Sequence, residues 1–540
     1  MSLREKGYKV VSASAAAVET VAKPAVKHTH KIMLEGSRQI HSGIEDFIDT
    51  MDESSKKKIS WFFKGLKKIN KGVQNLVKYS ISANYQDTAS SLSMIENGLT
   101  SQQKDLEAYF EKNNKDVHRN WAFSLENRES IRELISYVRE STHEFDNVPY
   151  HRLLQYFIAF GKLQKMARRT MWNIQKFPMD DILYNGLKEM KDYCKYAVGI
   201  YGKLLVRIII EKKWSRLFKF ESDEEILVKY TGMKRENLIY SYIKSKKYMP
   251  AYALVVDPDK KAVILVVRGT MSVFDCMTDM KGDYTTHDYT DPFTGEIIAS
   301  GLVHSGILTC AKNLLNEVKP RIMIALDKLP DYKLVVIGHS LGAGASALVS
   351  LLWMSDPDIM SRGFLGFAYA PPAVVSSELN VHLKKYLFSC SFGNDLVCRL
   401  SFGAVKDFCN MVTFFHTRET DRTGVKASEV ACKVLYGGKM ESSRGNMLYK
   451  EVKDTFTNYK LEAPGNIFQI YQLSKHPDFV LIAEETKDDY IGEYVDPKFY
   501  EEIIFSKTTF TDHMPNFYED SLEYLVKKLE EKRQGEINSS

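Results

Sequence analysis

With 540 residues, 44% of them hydrophobic and 26% charged, the chain has material for a large core, which excludes a wholly disordered protein. Lys and Arg number 74 against 69 Asp and Glu, and the resulting +5 is too balanced to point to nucleic acid. The 7 cysteines are scattered, none before Cys194, which argues against a disulfide framework or a zinc site and fits a reducing compartment.

Residues 1–85 read as an N-terminal appendage. Val10–Ala22 is alanine-rich but interrupted by Glu19, so it makes no convincing signal peptide, and Ser2 stands where myristoylation needs glycine. After Ser54-Ser55 the apolar residues Ile59, Phe62, Phe63, Leu66, Ile69 and Val73 fall mostly three and four apart, the spacing of one helix face. Lysines are interleaved, with no acidic residue between Lys56 and Lys78. Trp61, Phe62 and Phe63 with Lys64, Lys67, Lys68 and Lys71 therefore form a candidate contact for an anionic membrane or lipid-droplet surface. A helix packed on its own protein, its lysines merely solvated, is the equal alternative.

Residues 86–180 read as a helical region without chemistry, Leu153–Met166 being one of its segments. Tyr196–Trp214 reads as a further helix. No run approaches the ~18 apolar residues of a membrane span, so a soluble or peripheral protein is expected. From Ala251 the pattern changes to strands: Ala251–Val256, Ala262–Val267, Leu334–Ile337, Phe364–Ala370, Tyr386–Phe392, Ile467–Leu473, Phe479–Ala483 and Glu502–Ser506. Helical patterns such as His304–Leu329 lie between several of them, which predicts an α/β domain over 181–530 with a mostly parallel sheet, preceded by the helical N-terminal region. The polar, turn-rich stretch 409–464 reads as an insertion and 531–540 as a polar tail.

The chemistry centres on Gly338-His339-Ser340-Leu341-Gly342, between the apolar run Leu334–Ile337 and a small-residue helix. A G-x-S-x-G in that context describes a nucleophile elbow, with Gly338 and Gly342 keeping the backbone clear of Ser340. A serine needs a base, and the base an orienting acid, and in α/β-hydrolases the order is Ser, acid, His. His382, His416, His476 and His513 follow Ser340; His339, adjacent to it, is expected to point elsewhere. His513, in a loop before a final helix, is the preferred base and His476 the second choice. Asp395, just after Tyr386–Phe392, is the preferred acid over Asp356 and Asp358, which directly follow the elbow helix. Oxyanion donors are expected from the N–H groups of Leu341 and Thr270.

R-G-T-x-S-x-x-D at Arg268–Asp275, V-H-S-G at Val303–Gly306, G-H-S-L-G-A-G at Gly338–Gly344 and N-D-L-V-C-R-L-S at Asn394–Ser401 resemble the class 3 lipases. F-A-Y-A-P-P at Phe367–Pro372, A-P-G-N-I at Ala463–Ile467 and T-D-H-M-P at Thr511–Pro515 are similar to the sn-1-specific diacylglycerol lipase branch. The resemblance implies an α/β-hydrolase with Ser340 as nucleophile, Asp395 as acid, His513 as base, and Thr270 with Leu341 at the oxyanion hole. It implies a regulatory insertion at about 409–464 and a lid at 281–300. Two departures stand out: the N-terminal region is polar and helical where the animal enzymes carry a four-helix membrane domain, and Cys398 stands where the family usually has proline. Asp283, Asp288 and Asp291 raise Ca²⁺ as a ligand, but their spacing is not that of an EF-hand loop, and solvated lid residues are preferred. No other cofactor or metal is expected. The function expected is a cytoplasmic, peripheral serine lipase acting on glycerolipid, diacylglycerol at sn-1 first. Triacylglycerol or monoacylglycerol lipase, phospholipase A1, and a catalytically dormant lipid-surface scaffold are the alternatives.

Overall fold

The computed structural model describes residues 150–168, 176–202, 205–206, 221–246, 248–270, 283–420, 426–427, 429–431, 440–476, 489–506 and 508–539. The basic helix with Trp61, Phe62, Phe63, Lys64, Lys67, Lys68 and Lys71, the expected strand Phe479–Ala483 and positions 281–282 lie outside them. The elements run α1 (Tyr150–Arg168), β1 (Lys176–Phe177), α2 (Asp181–Gly199), α3 (Asp223–Thr231), β2 (Leu238–Tyr242), β3 (Tyr252–Asp257), β4 (Ala262–Val267), β5 (Tyr284–Thr290) and β6 (Ile297–His304). There follow α4 (Ser305–Lys328), β7 (Lys333–His339), α5 (Leu341–Trp353), β8 (Phe364–Tyr369), α6 (Ser377–Leu383) and β9 (Leu387–Phe392). Last come α7 (Phe402–Thr420), α8 (Ser442–Lys453), β10 (Asn466–Gln472), β11 (Tyr490–Val495) and α9 (Pro515–Ser539).

A nine-stranded sheet has the order β1-β11-β10-β9-β8-β7-β4-β3-β2. Its centre, β4, β7, β8, β9 and β10, is parallel, while β2, β3, β11 and β1 add antiparallel margins, so the sheet is mixed around a parallel core. The central strands are largely buried because both of their faces are covered, and β4 is apolar throughout. Val263, Leu265 and Val267 of β4 join one hydrophobic cluster, with α1, α4 and α5. Ala262, Ile264 and Val266, on the opposite pleat, join another with α2 and α9.

Several expectations need correction. Glu502–Ser506 is not a strand and pairs with neither sheet. Instead the segment is held by α1, where the Gln164 amide donates to Glu502 Oε1 (2.6 Å) and Ile503 O (2.7 Å), and its Oε1 accepts from Phe505 N (2.9 Å). Of the helix expected over Tyr196–Trp214, the first residues belong to α2, which starts at Asp181, where Asp180 caps Leu183 N at 2.8 Å, while 207–214 lie outside the described residues. The described parts of 409–464 are largely helical, and Met411, Val412, Phe415, Leu448 and Val452 are buried in the same cluster as α1. Residues 284–304 form a two-stranded antiparallel ribbon, β5 with β6. Among the described residues, no helix is long and apolar enough to cross a membrane.

Candidate active site

Ser340 occupies the tight turn between β7 and α5, at φ 62° and ψ −133°. A non-glycine residue with positive φ is costly and persists only where its surroundings enforce it. Here its own N–H donates to Tyr369 O at 2.9 Å, and the first turn of α5 returns N–H donors to its carbonyl. Gly342 is indispensable to the packing. A Cβ there would stand 2.4 Å from Val267 O and 2.8 Å from Gly269 N, so α5 lies directly against the end of β4. That contact brings the Arg268–Thr270 loop beside the elbow. Leu341 is the first residue of α5, where backbone N–H groups have no intrahelical acceptor.

His513 reaches the serine from a short 3₁₀ turn, Thr511–His513. Its Nε2 stands 2.8 Å from Ser340 Oγ, and its Nδ1 is 2.9 Å from Asp395 Oδ2 and 3.1 Å from Oδ1. With Nδ1–H donating to the carboxylate, Nε2 is free to accept the serine proton. Asp395 follows β9, and its side chain is wholly buried. A buried carboxylate needs donors: besides His513, it accepts from Val397 N (2.7 Å) and from the Tyr518 hydroxyl. Burial, and then the adjacent Asp395, push the Tyr518 hydroxyl well above its ordinary pKa, so it stays a donor.

His339 does not point away, as its position beside Ser340 led us to expect. Its ring lies 4.7 Å from that of His513, centroid to centroid. The Tyr201 hydroxyl donates to His339 Nδ1 at 2.8 Å, and His339 Nε2–H donates to His513 O at 3.0 Å. Burial, reinforced by the neighbouring His513, holds the His339 pKa well below its usual value. The ring is thus a neutral strut beneath the base, adding no charge when His513 takes a proton. Tyr201 and Tyr518 lie in no motif, and although His339 lies within G-H-S-L-G, only the fold reveals these contacts.

The other residues weighed from the sequence are occupied elsewhere. Asp356 and Asp358 both pair with Lys319 (2.6 and 3.0 Å). His416 Nδ1 is 3.2 Å from the Tyr156 hydroxyl, and His382 lies against the ring of Tyr289. His476 is buried close to the site but pairs with Asp512 rather than with Ser340. Cys398 is buried, and burial raises its thiol pKa well above the ordinary value, so it is inert packing at that position. Among the described residues no group of metal-ligating side chains occurs.

Residues 264–404 match the family described as lipase (class 3). This segment is similar to the class 3 lipases. It holds the elbow, the Arg268–Thr270 loop and Asp395. The chain is 30% identical to mouse diacylglycerol lipase-beta over 185 residues, 34% of this chain and 26% of that protein. It is 26% identical to human diacylglycerol lipase-alpha over 322 residues, 56% of this chain and 30% of that one. A lipase of Rhizopus niveus is 25% identical over 190 residues, 34% of this chain and 43% of that enzyme. The chain thus spans less than a third of the length of either diacylglycerol lipase.

Proposed function

We propose that this protein is a serine lipase that hydrolyses an acyl ester of glycerolipids, with diacylglycerol at the sn-1 position as the preferred substrate. The observation that carries the reading is the hydrogen-bonded line Ser340 Oγ, His513 Nε2, His513 Nδ1, Asp395, set at the N-terminus of α5. In this mechanism Ser340 Oγ attacks the ester carbonyl while His513 Nε2 takes its proton. Asp395 holds the tautomer and stabilises the imidazolium. Negative charge develops on the carbonyl oxygen and is met by the N–H groups of Leu341 and Thr270, each such donor being worth roughly 10²–10³ in turnover. His513 then protonates the leaving glycerol oxygen. A water, deprotonated by the same imidazole, attacks the acyl-enzyme and releases the fatty acid. The similarity to two diacylglycerol lipases supports the choice of substrate. The protein would act from the cytoplasmic face, bound peripherally to a lipid surface.

The test has two parts. A fluorophosphonate probe should label the wild-type chain and not Ser340→Ala, and the same change should lower turnover by on the order of 10⁶. Purified protein is then offered diacyl-, monoacyl-, triacyl- and phosphoglycerides. Release of the sn-1 acid mainly from diacylglycerol supports the substrate. Preference for another lipid replaces it with a broader lipase or a phospholipase A1, and a folded chain that neither labels nor turns over is a scaffold.

A further inference from the structure

Beside the Ser340 line lies a second histidine–carboxylate pair that the mechanism does not use. His476 Nδ1 accepts from Gln472 N at 3.1 Å, which fixes the proton on Nε2, and Nε2–H donates to Asp512 Oδ2 at 2.9 Å. Both side chains are buried, His476 at 0% and Asp512 at 1% exposure. The same Asp512 Oδ2 also accepts from Asn394 N at 2.8 Å. Asn394 immediately precedes Asp395, and Asp512 immediately precedes His513. One carboxylate oxygen therefore ties the loop carrying the acid to the loop carrying the base, and His476, from the end of β10, holds that oxygen in place.

The acid loop is shaped to admit this pair. Gly393 has φ 54°, and a Cβ there would stand 2.3 Å from His476 Nε2 and 2.4 Å from Asp512 Oδ2. The missing side chain leaves the space that the pair fills. Gly393 N donates to Ile470 O (2.7 Å) and its carbonyl accepts from Gln469 Nε2 (3.1 Å), so β10 anchors the loop from below. The ring of Phe392 meets His476 edge-on at 5.5 Å between centroids.

We propose that His476 and Asp512 are positioning residues for the Ser340 reaction, a brace that fixes the separation between Asp395 and His513. This rests on the reading of Ser340, His513 and Asp395 as the reacting set. Neither residue touches substrate. The two loops also meet at Leu396 N, which donates to Thr509 O (3.1 Å), so loss of the brace shifts them against each other rather than freeing them, and a misplacement of about 1 Å costs roughly 10²-fold in rate.

The test uses the full chain, a fluorophosphonate probe to count competent sites, and a soluble short-chain p-nitrophenyl ester. His476→Ala should lower kcat per labelled site by about 10–100-fold with KM little changed. His476→Gln, which can return an N–H toward Asp512, should recover most of the loss. Where His476→Ala does not fold, Asp512→Leu, branched at the same carbon but without an acceptor, carries the decision: a kcat loss with unchanged KM is expected of it too. The proposal is overturned by a kcat per labelled site equal to wild type in His476→Ala or Asp512→Leu. It is equally overturned by losses that appear only as fewer labelled sites and lower Tm, which is what a purely structural pair would give. If the wild-type chain itself neither labels nor hydrolyses the ester, the underlying reading of Ser340 fails first, and that result is distinct from either of these.

Discussion

His513 is held by its backbone as well as by its ring. His339 donates to the carbonyl of His513 and is itself oriented by Tyr201, so a residue next to Ser340 in sequence supports His513, the proposed base, from below. This has a consequence for stability against pH. The native state keeps His339 neutral, since burial holds its pKa well below the usual value. The unfolded chain binds a proton there near pH 6.5. Below that pH the unfolded state holds more protons than the native state, so stability is present above the unfolded pKa and lost as pH falls beneath it, by at most about 1.4 kcal/mol per pH unit for this one group. Thermal unfolding followed from pH 7 to pH 5 should show Tm falling, and His339→Gln should flatten that dependence. A variant whose Tm tracks the wild type across the range would refute the assignment of His339 as a buried neutral group. Much of this site can be read in the sequence, because glycines around a serine between a strand and a helix have few other uses. Asp395 and His513 are legible from their places after β9 and before α9. The roles of His339, Tyr201, Tyr518, His476 and Asp512 are not legible, since each depends on a partner brought close by folding and none on local spacing.

At the level of elements, the outcome follows from how each strand is covered. β4 and β7, buried on both faces, are plain apolar runs and easy to recognise. β2 and β11 lie toward the margins, are only partly buried, and carry tyrosines and polar residues, so no apolar run marks them. The opposite error at Glu502–Ser506 arose because an apolar run can be buried by a helix as well as by a sheet. There α1 is the partner, and Gln164 satisfies three buried groups of the segment that leads to the base. Glu502 is further held by the Tyr449 hydroxyl (2.7 Å) and Lys453 Nζ (2.8 Å) of α8. Replacing Gln164 with Leu leaves these groups without their amide partner inside the core, and each buried unsatisfied group costs about 1–3 kcal/mol. A loss of about 3 kcal/mol or more in urea unfolding is expected for Gln164→Leu. A change below about 1 kcal/mol would mean that α1 is a loosely attached arm.

For the molecule as a whole, the question is how the proposed lipid substrate would meet Ser340. The nucleophile and base are nearly covered, at 1% and 7% exposure. The lysine-rich stretch at Lys64, Lys67, Lys68 and Lys71 is the proposed means of bringing the protein to an anionic surface, at about 1 kcal/mol for each lysine. Reversing these charges to Glu should weaken sedimentation with phosphatidylserine vesicles, while turnover of a soluble short ester stays near the wild-type level. If both fall together, the stretch is part of the fold instead. The relay also joins positions far apart along the chain: His513 lies 173 residues beyond Ser340 and 118 beyond Asp395. During synthesis Ser340 and Asp395 leave the ribosome before His513, which can join them only after the 118 residues that separate it from Asp395 have followed. A nascent chain therefore cannot close the Ser340–His513–Asp395 line while the segment carrying His513 is still inside the ribosome, and the proposed hydrolase has no relay during that interval.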